Sequence, residues 1–163
     1  MNISSILVPT DFSHYNDAAL NYASRLAAES GAVLHLVYVH DTRELNSALG
    51  EASYLYAGQW EEEKHLAERR LKRLVPTDPA VRCEDHLLTG IPESEIVNFA
   101  LDHKVDLIVM ASHGRSGISR LLMGSVAEAV MRKATCPVLI VKQPTIEEAV
   151  LAEQGKTTIP ADA

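Results

Sequence analysis

The residues with the most chemical potential lie in the stretch DLIVMASHGRSGISRLLMGSVAEAV, from Asp106 to Val130. It carries glycines at 114, 117 and 124, Ser125, two arginines, Arg115 and Arg120, and His113. Glycines allow backbone amides to approach a ligand closely. A helix opening at Gly124-Ser125 leaves its first-turn amides without intrahelical partners, and its dipole favours an anion there. The pattern suits a phosphate cradle to which the Ser125 hydroxyl adds a donor. The competing reading is a turn followed by an ordinary N-cap. No lysine follows the last glycine, so this is not a Walker loop, and the GxGxxG dinucleotide fingerprint is missing.

Other side chains each leave more than one chemistry open. Asp11 can bind a ribose hydroxyl, or help hold a magnesium ion through phosphate, or cap the first helix. Arg115 and Arg120 can reach a terminal phosphate or stay solvated. His113 titrates near neutrality beside the proposed phosphates, yet a histidine next to a glycine equally serves as a structural hydrogen bonder. The seven histidines contain no HxxxH or comparable ligand pair, so no dedicated transition-metal site is expected and any magnesium would come with the phosphates. Cys83 and Cys136 lie in apolar, strand-like stretches without CxxC spacing. Two reduced, buried thiols are expected.

The elements that must position these groups follow from periodicity. SSILVP is a short apolar run of strand length that stops at Pro9 and leads to Asp11. From Ser13, a plausible N-cap, Ala18, Ala19, Tyr22, Ala23, Leu26 and Ala27 recur at helical spacing up to Gly31. AVLHLVYVH reads as a strand covered on both faces. Between Asp41 and Gln59 the pattern dissolves, compatible with a lid, a mobile helix or a surface excursion. A charged helix is expected from about Trp60 to Leu74. VRCEDHLLT then reads as a strand and PESEIVNFALDH as a helix opened by Pro92. VDLIVMA, SVAEAVMRKA and PVLIVK supply strand, helix and strand. Strands alternating with helices over short connections mean right-handed crossovers and a doubly wound, five-stranded, mostly parallel α/β sheet. In such sheets ligands bind beyond the carboxyl ends of the strands where the strand order reverses. VPTD and VMASHG should therefore be neighbours and form the site.

At 163 residues the chain has the size of one domain, here residues 1–143, with a tail from 144 to 163. In that tail Thr145 and Glu148 have capping-box spacing, and the residues from about Gly155 are expected to be disordered. The net charge of −7 argues against a broad nucleic-acid surface. No apolar run approaches the roughly 20 residues that cross a bilayer, and the N-terminus enters a strand without a leader. A cytoplasmic protein is expected, neither inserted in a membrane nor bound to nucleic acid.

Several motifs in order carry a resemblance. ILVPTDFS, HLVYVH, the pattern TG-P---I--FA, DLIVMASHGR-G-S-LLMGSVAE-V and CPVLIVK together resemble the universal stress protein family of the bacterial UspA type, over roughly Ser4 to Lys142. The resemblance implies a Rossmann-like sheet of the adenine nucleotide alpha hydrolase type, ATP as ligand with any magnesium carried by its phosphates, and a role in stress response or regulation with an unknown protein partner. ATP-binding members carry glycine, two residues, glycine, nine residues, then glycine with serine or threonine. Gly114, the nine residues Arg115 to Met123, and Gly124-Ser125 fit. The first position departs, being Ala111, which is harmless wherever φ is negative.

Carried over residue by residue, the family's pocket places Pro9, Thr10 and Asp11 beside the nucleoside and Val39 at the adenine. Met110 and Ala111 form its wall. Gly114, Gly124, Ser125 and Val126 surround the phosphates. Family members commonly dimerise through the last strand, which implies a homodimer by antiparallel pairing of Pro137 to Lys142. Two other functions remain open: a nucleotide-free interaction or protective protein, favoured by Ala111, and a slow ATP hydrolase using His113. Synthetase-type HIGH and pyrophosphatase-type SGGxDS signatures are absent.

Overall fold

A computed structural model of the protein describes residues 2–43, 53–112 and 123–142, with only the backbone for 53–57. The elements are β1 (Ser5–Pro9), α1 (Tyr15–Ser30), β2 (Val33–Asp41), α2 (Ser53–Leu71), β3 (Cys83–Gly90), α3 (Pro92–Asp102), β4 (Leu107–Ala111), α4 (Ser125–Lys133) and β5 (Val138–Val141). The sheet order is β3-β2-β1-β4-β5, and every pairing is parallel.

Both faces of the sheet are covered because its strands are apolar on both. Ile6, Val8, Leu34, Leu36, Val109 and Ala111 face α1 and α2. Leu7, Val37, Val39, Ile108 and Met110 face α3 and α4. Each fully buried aliphatic side chain contributes about 1.5–3 kcal/mol, while the parallel ladder satisfies the backbone groups buried with it.

The helix boundaries differ from the sequence reading in instructive ways. Ser13 is not the N-cap of α1. That position is His14, with no side-chain cap bond, because Ser13 lies a residue earlier and offers its carbonyl to the Asn16 amide. The buried stripe of α1 is Ala19, Leu20, Ala23, Ser24 and Ala27, whereas Tyr22 is 51% exposed. Ser24 can take a core place because its hydroxyl donates to the Leu20 carbonyl at 2.7 Å, which leaves nothing polar unpaired. Gly31 closes α1 with φ 73° and returns its amide to Ala27, a left-handed C-cap that glycine adopts without strain.

α2 starts at Ser53, seven residues before the expected Trp60. The charged part of the helix supplies the nucleus, and each added residue then gains one hydrogen bond without a new nucleation cost. Leu71 ends it, and Arg73 and Leu74 continue as a tighter turn through bonds to Arg70 and Leu71. Gly90 ends β3 with φ 155°, and a Cβ there would meet Glu95 Oε1 at 2.5 Å. Cys83 lies in β3, but Cys136 lies just before β5 and outside it. Both thiols are free and half-buried rather than fully buried. Burial, with Asp85 and Glu84 nearby, pushes the Cys83 thiol up to about 11, so it stays protonated and unreactive. The tail expected from 144 lies outside the described residues. None of the described helices is long and apolar enough to cross a membrane.

Asp106 ties the central strands at their amino ends. Its Oδ2 accepts from the Ser4 amide and hydroxyl, both at 2.8 Å, and from the Ser5 amide at 3.1 Å. The bonds from Ser4 and Ser5 hold its carboxyl below the ordinary value. A depressed carboxyl contributes stability that is fully present above the unfolded value of about 3.9 and is lost as pH falls through the folded value. Asp106→Asn should lower the denaturation midpoint at pH 7 and flatten the acid limb of the stability profile below about pH 4. A full acid limb in the variant would remove Asp106 from the account.

Candidate functional site

Between the two halves of the sheet, where β1 passes to β2 on one side and β4 lies on the other, the carboxyl ends of the strands open a cavity of about 320 Å³. Its walls come from six segments. β1 and the turn after it give Pro9, Thr10 and Asp11; β2 gives Val37, Tyr38 and Val39; β4 gives Met110 and Ala111. The start of α4 contributes Gly124, Ser125 and Val126.

The turn after β1 is built by its own side chains. Thr10 Oγ1 accepts from the Phe12 amide at 3.1 Å, and Asp11 Oδ1 accepts from the Ser13 amide at 2.9 Å and from the Asn16 side-chain amide. Asp11 thus organises the approach to α1 as an Asx-type turn and does not cap the helix itself. Phe12 sits at φ 61°, an uncommon conformation for a bulky residue. Its ring stacks on Tyr38 at 4.6 Å between centroids, and the Arg70 guanidinium lies 5.8 Å from it.

On the opposite wall, Gly124 is the N-cap of α4 and makes no side-chain cap bond. Its amide donates to the Ser112 carbonyl at 2.8 Å, which seats the helix start against the end of β4. Ser125 is the first helical residue, so the reading in which it serves as an ordinary N-cap is set aside. Gly124 itself brings no side chain to the helix end, and the positive end of the dipole faces the cavity. Ala111 lies in β4, and Phe12 and Lys104 are the non-glycine residues with positive φ among those described. Its methyl group therefore sits on ordinary strand backbone.

Nine sequence-predicted residues, Pro9 through Val126 without Gly114, thus line one cavity. Gly114, Arg115, Arg120 and His113 lie outside the described residues. Sequence reasoning missed Asn16, Asp41, Arg43, Pro92 and Ile96, which also line it. Asp41 and Arg43 sit where β2 ends, a place the switch-point rule covers as well as the ends of β1 and β4. Burial pushes the Asp41 carboxyl up, but hydrogen bonds and charge from Arg43 outweigh it and hold the group below the ordinary value. Arg43 Nε donates to both Asp41 oxygens, at 3.0 and 2.9 Å, and Nη1 lies 3.8 Å from Glu93 Oε2. The cavity mouth therefore carries a cation already tied to two carboxylates.

Known proteins with the same features set this arrangement in context. The sequence profile of the universal stress protein family matches residues 2–142. Universal stress protein MJ0531 of Methanocaldococcus jannaschii is 38% identical over 143 residues, covering 87% of this chain and 84% of that one. The solved structure of protein MJ0577, a universal stress protein of the same organism, superposes with a TM-score of 0.72 at 35% identity, over 89% of this chain and 99% of that one. A universal stress protein solved in complex with cAMP superposes with a TM-score of 0.57 at 27% identity, over 87% and 98%.

The backbone at Ala111 is testable by the sign of one substitution. Ala111→Gly should destabilise the protein by about 0.5–1 kcal/mol in urea unfolding, the ordinary cost of glycine within a strand. Stabilisation instead would show that the alanine is strained there.

Proposed function

The chain belongs to the universal stress protein family, and on that premise we propose that the cavity binds an adenine nucleotide, ATP in the first instance, and that occupancy serves stress-response regulation. The observation that carries the reading is the glycine-started α4, whose first residues line, with the ends of β1 and β4, a cavity of about 320 Å³. The cAMP held by one structural relative supports the nucleotide class.

In this reading Pro9, Thr10 and Asp11 lie along the nucleoside, and Val39 offers backbone groups to the adenine. Met110 and Ala111 form the apolar wall. The phosphates lie at the start of α4, where the amides of Ser125 and Val126 and the Ser125 hydroxyl donate to them, with Gly114 beside. Arg115 and Arg120 serve a terminal phosphate, and magnesium is carried by the phosphates. The Asx-type turn at Asp11 fixes the ribose side before any ligand arrives, which reduces the ordering cost of binding.

Thermal melting with and without millimolar ATP and magnesium tests this directly. A ligand well above its dissociation constant stabilises by a few kcal/mol, a shift of several degrees for a domain of this size. Gly124→Val places a branched side chain at the phosphate approach and should weaken ATP binding at least about tenfold, with the apo melt lowered by no more than a cap change of about 1 kcal/mol brings. No shift in the parent protein, or unchanged affinity in the variant, would overturn the assignment.

The apolar edge strand supports a second element of the reading. β5, with the sequence VLIV, is an edge strand of the sheet and is half-buried along its length. Antiparallel pairing of Pro137 to Lys142 with its copy across a two-fold axis would satisfy that edge. Light scattering at micromolar concentration should give twice the chain mass, and Ile140→Lys should shift it toward one. A monomeric parent protein would remove the dimer.

A further inference from the structure

The β2 and β3 strands carry a cluster of ligating side chains that the cavity lining does not include. His35 and Glu84 are register partners, and His86 stands two residues along from Glu84 opposite Val37. Parallel pairing and the two-residue period of a strand put all three on the sheet face covered by α3. His35 Nδ1 lies 3.1 Å from His86 Nε2 and 3.7 Å from Glu84 Oε2. The three donor atoms all fall within 4.8 Å of one another.

From these distances the geometry points to a divalent transition-metal site of the zinc class, with His35 Nδ1, His86 Nε2 and Glu84 Oε2 as ligands and an open fourth position. Zinc–nitrogen bonds of about 2.0–2.1 Å at a tetrahedral angle put two ligand atoms about 3.3 Å apart, close to the spacing of the two imidazoles. Two imidazoles and one carboxylate are a ligand set that zinc takes with a water in fourth place. To admit the ion, the ring that donates in this pair moves its proton to the nitrogen turned away, so that both rings stay neutral and each presents a lone pair to the metal.

The surroundings suit an ion. Burial, reinforced by the other imidazoles, lowers the pKa of His35 and of His86, the direction that favours the neutral rings coordination needs. Arg82 Nη2 donates to Glu84 Oε1 at 2.7 Å, which leaves Oε2 turned to the histidines, as outer partners of a metal-bound carboxylate do. Entry is open, because β3 is an edge strand and the Glu84 side chain is 37% exposed. His103, just past α3, stacks on Phe99 at 3.8 Å and has ring centroids 5.9 and 6.1 Å from His86 and His35. Its Nδ1 is 3.1 Å from the Phe99 carbonyl oxygen, so Nδ1 donates there.

The test uses the full chain stripped with a chelator, titrated with Zn²⁺ by calorimetry and with Co²⁺ by visible absorption. One equivalent should bind, with the intense d–d bands of four-coordinate cobalt. His86→Gln and Glu84→Gln should each weaken zinc by more than about 100-fold, beyond the 10–100-fold that loss of an outer partner costs. Arg82→Ala should fall within that smaller range. No zinc uptake by the parent protein, or parental affinity in both ligand variants, would overturn the site. Should His86→Gln fail to fold, Glu84→Gln, altered at a partly exposed side chain, and the cobalt spectrum of the parent protein decide alone.

Discussion

The rest of the structure depends on β1 pairing in parallel with two strands at once, β2 on one side and β4 on the other. That position leaves β1 no face toward water. Ile6 and Val8 go to one core and Leu7 to the other, each at most 1% exposed. Because the chain leaves β1 toward β2 but returns later to β4, the helices on the two sides pack on opposite faces. They part at the carboxyl end of β1, and neither layer closes over that point. The cavity is a consequence of the winding, and the residues following Pro9 line it whatever their chemistry.

Chemistry enters through how that exposed strand end is stiffened. The turn from Thr10 to Asn16 spends three side-chain acceptors and donors on itself. It also holds Phe12 at a positive φ that costs on the order of 1–3 kcal/mol. Stacking of the ring on Tyr38 and the cationic contact from Arg70 offset that cost. Phe12 also packs against the edge of the core on the α1 side, so its conformation is held from more than one direction. A strained residue retained beside an open cavity speaks for a fixed wall. The opposite wall is fixed differently, by the amide of Gly124 bonded to the Ser112 carbonyl, which seats the start of α4 against the end of β4.

How far the sequence could be read follows from the range of the interactions involved. The strands and their covered faces were legible because continuous apolar runs between turns report burial locally. The cavity residues were legible because the switch-point rule needs only the ends of β1 and β4, contiguous with VPTD and VMASHG. The start of α2 was not, since SYLYAGQ lacks an amphipathic stripe and is helical by propagation from the charged turns after it. Nor was the face of α1, where Ser24 is buried and Tyr22 exposed against their polarity. The histidine cluster was invisible to a search for HxxxH spacing, because that spacing belongs to a helix. Its own signal was Glu84 and His86 two apart on a strand, completed by His35 from a neighbour 51 positions away. Only the register supplies that third ligand.

The two edges of the sheet show what the same constraint asks of its outermost strands. β3 has the sequence CEDHLLTG and places charged or polar groups at three successive positions, Glu84, Asp85 and His86, and again at Thr89 after two leucines. Such an edge offers backbone groups but surrounds them with charge, Arg82 and Glu84 among them, and an incoming strand would have to desolvate these. β5 has the sequence VLIV and carries no charge until Lys142. Its alternate residues complete both cores, Leu139 and Val141 on one side and Val138 and Ile140 on the other, so replacing them by charged residues would cost core packing. An edge strand that serves two cores cannot carry the charges that repel a neighbour, and the alternative means of protecting it is to cover it. The asymmetry between the edges lies in residue type and not in distance, because a single strand separates each of β3 and β5 from β1.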